Sequence, residues 1–233
     1  MTDLSAQHVP GSDRTYYIPN FVTEEEEEYL VRKILEAPQP KWRQLAKRRL
    51  QTWGGDLTPK NILIPQPMPP FMTEYPNLIS RLRATGAFAD SPHGEPNHVI
   101  MNEYLPGQGI MPHQDGPAYH PVVATLSLGS HTVMHYYRYN SPSDRSIDPS
   151  PVLSLLLEPR SLVITTAALY TECLHGIEGV GEDVLGGVRL ANGGMVPSER
   201  RDGVMGRGTR YSLTCRDVER VASVSAAKMF GKK

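Results

Sequence analysis

The 233-residue chain is short of several things, and each shortage removes a class of protein. Its two cysteines, Cys173 and Cys215, are too few for a disulfide framework, so a reducing compartment is expected. No apolar run approaches the roughly eighteen residues that would cross a bilayer. The opening MTDLSAQHVPGSDR lacks the basic-then-apolar pattern of a signal peptide. A cytoplasmic and nuclear location, with no membrane partner, is therefore expected; nothing signals an oligomer. There is also no excess of charge: 24 Lys and Arg against 25 Asp and Glu leave a formal net charge of −1. That excludes a globally basic coater of nucleic acid, though not a local cationic track. Aromatic residues are sparse as well, with only 4 Phe.

Glycine (20) and proline (21) are plentiful, which points to many turns rather than a helical bundle. Residues 1–14 are polar and expected to be mobile. Tyr16 to Val22 reads as a strand, and Thr23 as the N-cap of a helix. Glu24 to Glu28 place negative charge on the positive end of that helix's dipole, and read as a solvated first turn. Leu30, Val31, Ile34 and Leu35 give it an apolar stripe, and Pro38 ends it. A linker is expected over Pro65 to Pro70, then a helix over Phe71 to Arg83. Short apolar runs follow at His98–Leu105, Val122–Leu128, Thr132–Tyr139, Leu153–Leu157, Leu162–Thr166 and Thr209–Cys215. Most are bounded by Gly, Pro, Ser or Asp, the pattern of a β-sandwich or barrel. Asn140 to Pro151 joins the strands of a hairpin, and Gly176 to Gly208, with ten glycines, reads as an irregular insert. A single domain over residues 15–221 is expected, ahead of a basic tail over 222–233 that holds Lys228, Lys232 and Lys233.

His113-Gln114-Asp115 is the first candidate for chemistry. Residues two apart on an extended segment face the same way, so an imidazole nitrogen and a carboxylate oxygen can meet at one point. Such a mixed pair suits Fe(II), Mn or Zn. A His-x-Asp arises by chance roughly once in three chains of this composition, so on these residues alone a turn histidine beside an Asx-type aspartate is the better reading. Three further features add weight. Asn102 and Tyr104 share a face of the strand leading in. A lone His175 could complete two histidines and a carboxylate, a set that leaves coordination positions open. Arg210, Ser212, Thr214 and Arg216 share one face of an alternating strand. The two arginines are separated by roughly 20 Å of strand, and their side chains can converge on a small dicarboxylate held at both ends.

Asn102-x-Tyr104-x-Pro106-Gly107, His113-x-Asp115, His175 and Arg210-x-Ser212-x-x-x-Arg216, in that order, resemble the AlkB-type Fe(II)- and 2-oxoglutarate-dependent dioxygenases. The resemblance covers most of the chain. Trp42 to Gly55, Leu126 to Thr132 and Leu157 to Leu162 are most like the AlkB homolog six subgroup. It implies a mainly β fold with flanking helices, a double-stranded β-helix or jelly roll. It implies His113, Asp115 and His175 as iron ligands, and Arg210 as partner of the distal carboxylate of 2-oxoglutarate. Asn102 and Tyr104 are implied to hydrogen-bond that co-substrate, and Arg216 matches the second arginine of the motif. Ser212 stands where several relatives carry Asn, and its hydroxyl is shorter. His175 lies 35 residues before Arg210, a longer gap than in the bacterial prototype, and the glycine-rich insert fills it.

The expected reaction couples decarboxylation of 2-oxoglutarate, with O2, to hydroxylation of a C–H bond. On an N-methyl group the product collapses to formaldehyde and an amine, with succinate and CO2 released. The resemblance implies an N-alkylated base in RNA or DNA, which must be single-stranded or flipped. Other expectations are a protein or small-molecule substrate, a non-catalytic nucleic-acid-binding module, or a zinc hydrolase, which would leave the Asn102/Tyr104 and Arg210/Arg216 sets unexplained. Lys41, Arg43, Lys47, Arg48 and Arg49, five cations with no acid among them, are the candidate nucleic-acid contacts; a solvated strand is the plainer reading. His131 and His135 read as strand residues too far apart to share a metal. His120 reads as a surface residue, Cys173 as packing, and Trp42 and Trp53 as bracing aromatics.

Overall fold

A computed structural model describes residues 4–141, 144–201 and 203–223. The first strands are β1 (Thr15–Ile18), β2 (Arg43–Leu45), β3 (Arg48–Trp53), β4 (Gly55–Leu57) and β5 (Leu63–Pro65). β6 (His98–Tyr104), β7 (Ile110–His113), β8 (Tyr119–Leu128), β9 (Thr132–Tyr137) and β10 (Leu153–Leu157) follow. The last are β11 (Leu162–Thr166), β12 (Leu174–Ile177), β13 (Glu182–Val184), β14 (Val204–Gly206) and β15 (Arg210–Val218). A seven-stranded sheet runs β1-β11-β8-β15-β6-β3-β2, and a four-stranded sheet runs β10-β9-β12-β7. Their ladders are antiparallel, and the two sheets face one another as a jelly roll.

Period-two alternation sorts the large sheet's side chains between two environments. On β15, Tyr211, Leu213 and Cys215 join a cluster with Met101, Val99, Leu126 and the helices. Arg210, Ser212, Thr214 and Arg216 face the other way, into the space between the sheets. The helices covering the outer face are α1 (Glu24–Leu35), α2 (Pro70–Thr73) and α3 (Leu78–Ala84); a fourth, α4 (Ala167–Thr171), follows β11. In α1 a capping box closes the N-terminus: Thr23 Oγ1 accepts from Glu26 N at 3.2 Å, and Glu26 Oε2 accepts from Thr23 N at 2.9 Å.

Several expectations change. The helix expected over Phe71 to Arg83 is two helices, because Pro76 supplies no amide donor and Asn77 caps a new start. The glutamate turn is only partly solvated: Glu26 pairs with Arg81, and Glu27 with Arg160, each at 2.9 Å. Within residues 4–14, Val9 is fully buried and His8 is bridged to Tyr16. The described residues of the glycine-rich insert are tied down by the β13–β14 ladder, by Arg207 clamping Asp183 (2.6 Å), and by buried Asn192, which bonds both Leu156 N and Leu156 O. Lys228, Lys232 and Lys233 lie outside the described residues.

Candidate active site

β7 ends at His113, and β12 runs beside it with His175 directly opposite His113. The strands approach closely because two glycines leave room. A Cβ on Gly109 would stand 2.3 Å from Ile177 O, and one on Gly176 about 3.0 Å from Pro112 N. Asp115, two residues past β7, turns back to the same point. Ligand atoms of His113, Asp115 and His175 all lie within 4.8 Å of one another. His113 Nδ1 donates to Met111 O at 2.8 Å, which leaves Nε2 with its lone pair free for a metal. Burial, above all, pushes the His175 pKa down to about 4, so its imidazole is neutral at physiological pH.

Asp115 is buried beside Arg216, whose Nε and Nη2 donate to its two carboxylate oxygens at 2.9 and 2.6 Å. Burial alone would raise the Asp115 pKa; the Arg216 charge and the two histidines outweigh it and hold the carboxyl below its usual range. Arg216 is therefore committed to the Asp115 carboxylate. Of the two arginines expected to hold a dicarboxylate, Arg216 has both Nε and Nη2 on Asp115.

Arg210 differs in kind. It is 3% exposed, its Nη2 donates to Ser127 Oγ at 2.8 Å, and its Nε is buried without a partner among the described residues. Burial lowers its pKa to about 10, so it remains a cation at neutral pH. Tyr104 lies beneath its guanidinium, 5.7 Å from ring centroid to Cζ, and burial raises that phenol's pKa and keeps it a neutral donor. Asn102 and Ser212 face each other across the β6–β15 ladder. All eight residues (Asn102, Tyr104, His113, Asp115, His175, Arg210, Ser212 and Arg216) line one pocket. The donor set fits a divalent metal at one end, and the unpaired buried guanidinium fits a carboxylate at the other.

Thr125, Tyr136, Thr165, Leu169 and Tyr170 also line the pocket and were missed from sequence. Thr125 lies directly opposite Thr214 on the inward face, so alternation through β8 could have found it. Tyr136, which bonds Thr165 Oγ1 at 2.6 Å, and Tyr170, on α4, carried no motif.

The basic segment is divided. β2 and β3 form an edge hairpin in which Arg48 and Arg49 take opposite faces. Arg49 turns outward to Glu103 (2.6 and 2.7 Å) and over the Trp42 ring, and Lys41 sits over Trp53. Arg48 turns inward, its Nε donating to Asn102 Oδ1 at 3.0 Å. Arg43 and Lys47 are exposed, without such partners among the described residues. His131 and His135 diverge: His135 bonds Ser154 Oγ at 2.8 Å, and His131 Nε2 lies 3.3 Å from Asp183.

His98, buried opposite Arg216, has its pKa pushed down to about 4 by burial and then by that charge. Its folded value lies below the unfolded one, so protonation favours unfolding. Stability should hold above pH 6.5 and fall as pH drops toward 4, by about 3 kcal/mol from this residue. Urea denaturation at pH 7 and 4.5 should show a smaller acid loss in His98→Gln; equal losses would contradict the assignment.

The description "2OG-Fe(II) oxygenase superfamily" matches residues 14–216, nearly all of the jelly roll. The chain belongs to that superfamily. Oxygenases of this superfamily use Fe(II), 2-oxoglutarate and O2, and this one is an oxidoreductase. A curated Danio rerio relative, "Probable RNA/DNA demethylase ALKBH6", is 43% identical over 222 residues, covering 94% of this chain and 90% of its own. "Uncharacterized protein L905" of Acanthamoeba polyphaga mimivirus is 28% identical over 202 residues, covering 86% of this chain and 83% of its own. The solved structure of OsALKBH1 superposes with a TM-score of 0.53 at 15% identity, covering 87% of this chain and 97% of its own, a likeness of fold.

Proposed function

We propose that this oxygenase removes alkyl groups from the nitrogens of nucleobases in RNA or DNA. The carrying observation is the pocket with a His-Asp-His donor set at one end and, at the other, a buried guanidinium with no carboxylate partner among the described residues. The substrate class is supported by the 43% identity to a relative named as a probable RNA/DNA demethylase. Fe(II) is assigned to His113, Asp115 and His175, and the distal carboxylate of 2-oxoglutarate to Arg210, with Asn102, Tyr104 and Ser212 along its length. When bound, Fe(II) with 2-oxoglutarate supplies the oxidising power, one atom of O2 entering succinate and the other the methyl C–H bond. The chain's own part is orientation and exclusion of water. Arg216 keeps Asp115 ionised and fixes its direction, the Met111 carbonyl sets the His113 tautomer, and Tyr104 remains a neutral hydrogen-bond donor. The resulting N-hydroxymethyl product breaks its C–N bond, giving formaldehyde and the free N–H.

The test measures succinate and formaldehyde with Fe(II), O2, 2-oxoglutarate and a panel of N-methylated RNA and DNA oligonucleotides. Wild type should yield both, and His113→Ala neither above background. Equal succinate from the two proteins would sink the catalytic assignment, and formaldehyde from methylated peptides alone would sink the nucleic-acid substrate. Arg43 and Lys47 are the exposed cations of the hairpin. Arg43→Glu with Lys47→Glu should weaken oligonucleotide binding by about tenfold at low salt and flatten its salt dependence. Unchanged affinity would remove the hairpin from the interface.

A further inference from the structure

Arg48 and Arg49 are neighbours in sequence, yet strand alternation gives them unlike tasks. The β3–β6 register pairs Arg49 with Glu103 and Leu50 with Asn102. Arg49 thus meets Glu103 on the outer face, while Arg48 shares the inner face with Leu50, Asn102 and Tyr104. Its Nε approaches Asn102 Oδ1 to 3.0 Å in a half-buried setting. Its charge also reaches the Tyr104 phenol, where it opposes the rise caused by burial. Arg48 itself does not line the pocket; Asn102 does.

A carboxamide has two faces of opposite polarity, and an arginine has only donors. The Asn102 atom facing Arg48 must therefore be the oxygen, and the amide nitrogen must turn the other way. Among the described residues Nδ2 has no protein hydrogen-bond partner, and the pocket is the side left to it. A carboxylate or keto oxygen requires N–H donors there; an Asn102 turned over would present its own oxygen and repel the group it is meant to hold. We infer that Arg48 is a positioning residue for the co-substrate, locking the Asn102 carboxamide with its N–H toward 2-oxoglutarate. The inference rests on the oxygenase reading for the role of Asn102. It takes Arg48 out of the set of nucleic-acid contacts.

Calorimetric titration of 2-oxoglutarate into the Mn(II)-loaded protein tests this without turnover. Arg48→Ala should weaken binding by about fivefold, the size of one hydrogen bond to a correctly turned amide. Arg48→Lys, still donor-only, should stay within about twofold of wild type, whereas Arg48→Gln, which can turn either end to Asn102, should resemble Arg48→Ala. The deciding measurement is a cycle with Asn102→Ala: in that background Arg48→Ala should change nothing, because its effect passes through the amide. An equal loss in both backgrounds would mean that Arg48 acts by charge alone and would overturn the inference, as would wild-type affinity in Arg48→Ala. A wild-type protein that binds no 2-oxoglutarate would instead overturn the oxygenase reading. Unchanged Mn(II) affinity and circular dichroism in each variant separate these outcomes from misfolding.

Discussion

Replacing Arg210 with methionine is expected to weaken 2-oxoglutarate binding by about a hundredfold, and to raise the unfolding midpoint of the ligand-free protein. The two effects have one cause. Arg210 is buried at 3% exposure, with Ser127 as a neutral partner and no carboxylate among the described residues within reach. The fall of its pKa from 12.5 to about 10 corresponds to a cost of about 3 kcal/mol for keeping the charge inside. Methionine fills similar space without that cost. Under the proposed function, a bidentate carboxylate brought in by the co-substrate would offset that charge. Thermal unfolding with and without 2-oxoglutarate checks both halves. A variant that binds 2-oxoglutarate as wild type does, or that melts lower than wild type without ligand, would remove Arg210 from the co-substrate end.

The same substitution six residues along the strand should have the opposite effect on stability. Arg216→Met strips the two-toothed partner from Asp115, leaving a buried carboxylate alone, and should cost about 3–5 kcal/mol of metal-free stability. A divalent cation should recover part of that loss, because it meets the stranded carboxylate directly. Urea denaturation with and without Mn(II) gives the measurement. A loss below about 1 kcal/mol would show that the pair behaves as a surface ion pair and does not secure Asp115.

The contrast between these arginines marks how far reading along the chain could go. Alternation on β15 put Arg210, Ser212, Thr214 and Arg216 on one face, and they do line one pocket. Alternation could not say that Asp115, 101 positions before Arg216, would occupy one guanidinium and leave the other free. The basic segment shows the same limit. Five cations with no local acid read as one patch, but Glu103 and Asn102, 54 positions away from Arg49 and Arg48, take one arginine each. Thr23 and Glu26 needed no such help, since a capping box closes within three residues.

The sequence by itself determined the periodic and local features. These are the strands Leu153–Leu157 and Leu162–Thr166, the capped helix from Glu24, and the His-x-Asp and Arg-x-Ser faces, since each depends on spacings of a few residues. Only the tertiary structure decided which charges are free. It brought His175 opposite His113 across β7 and β12, set Arg216 on Asp115, turned Arg48 inward and Arg49 outward, and built the glycine-rich insert onto Leu156. The physical reason is that a strand's period fixes which face a side chain takes. What waits on that face depends on the register of strands from distant parts of the chain, and a buried charge is spent or available according to that register alone.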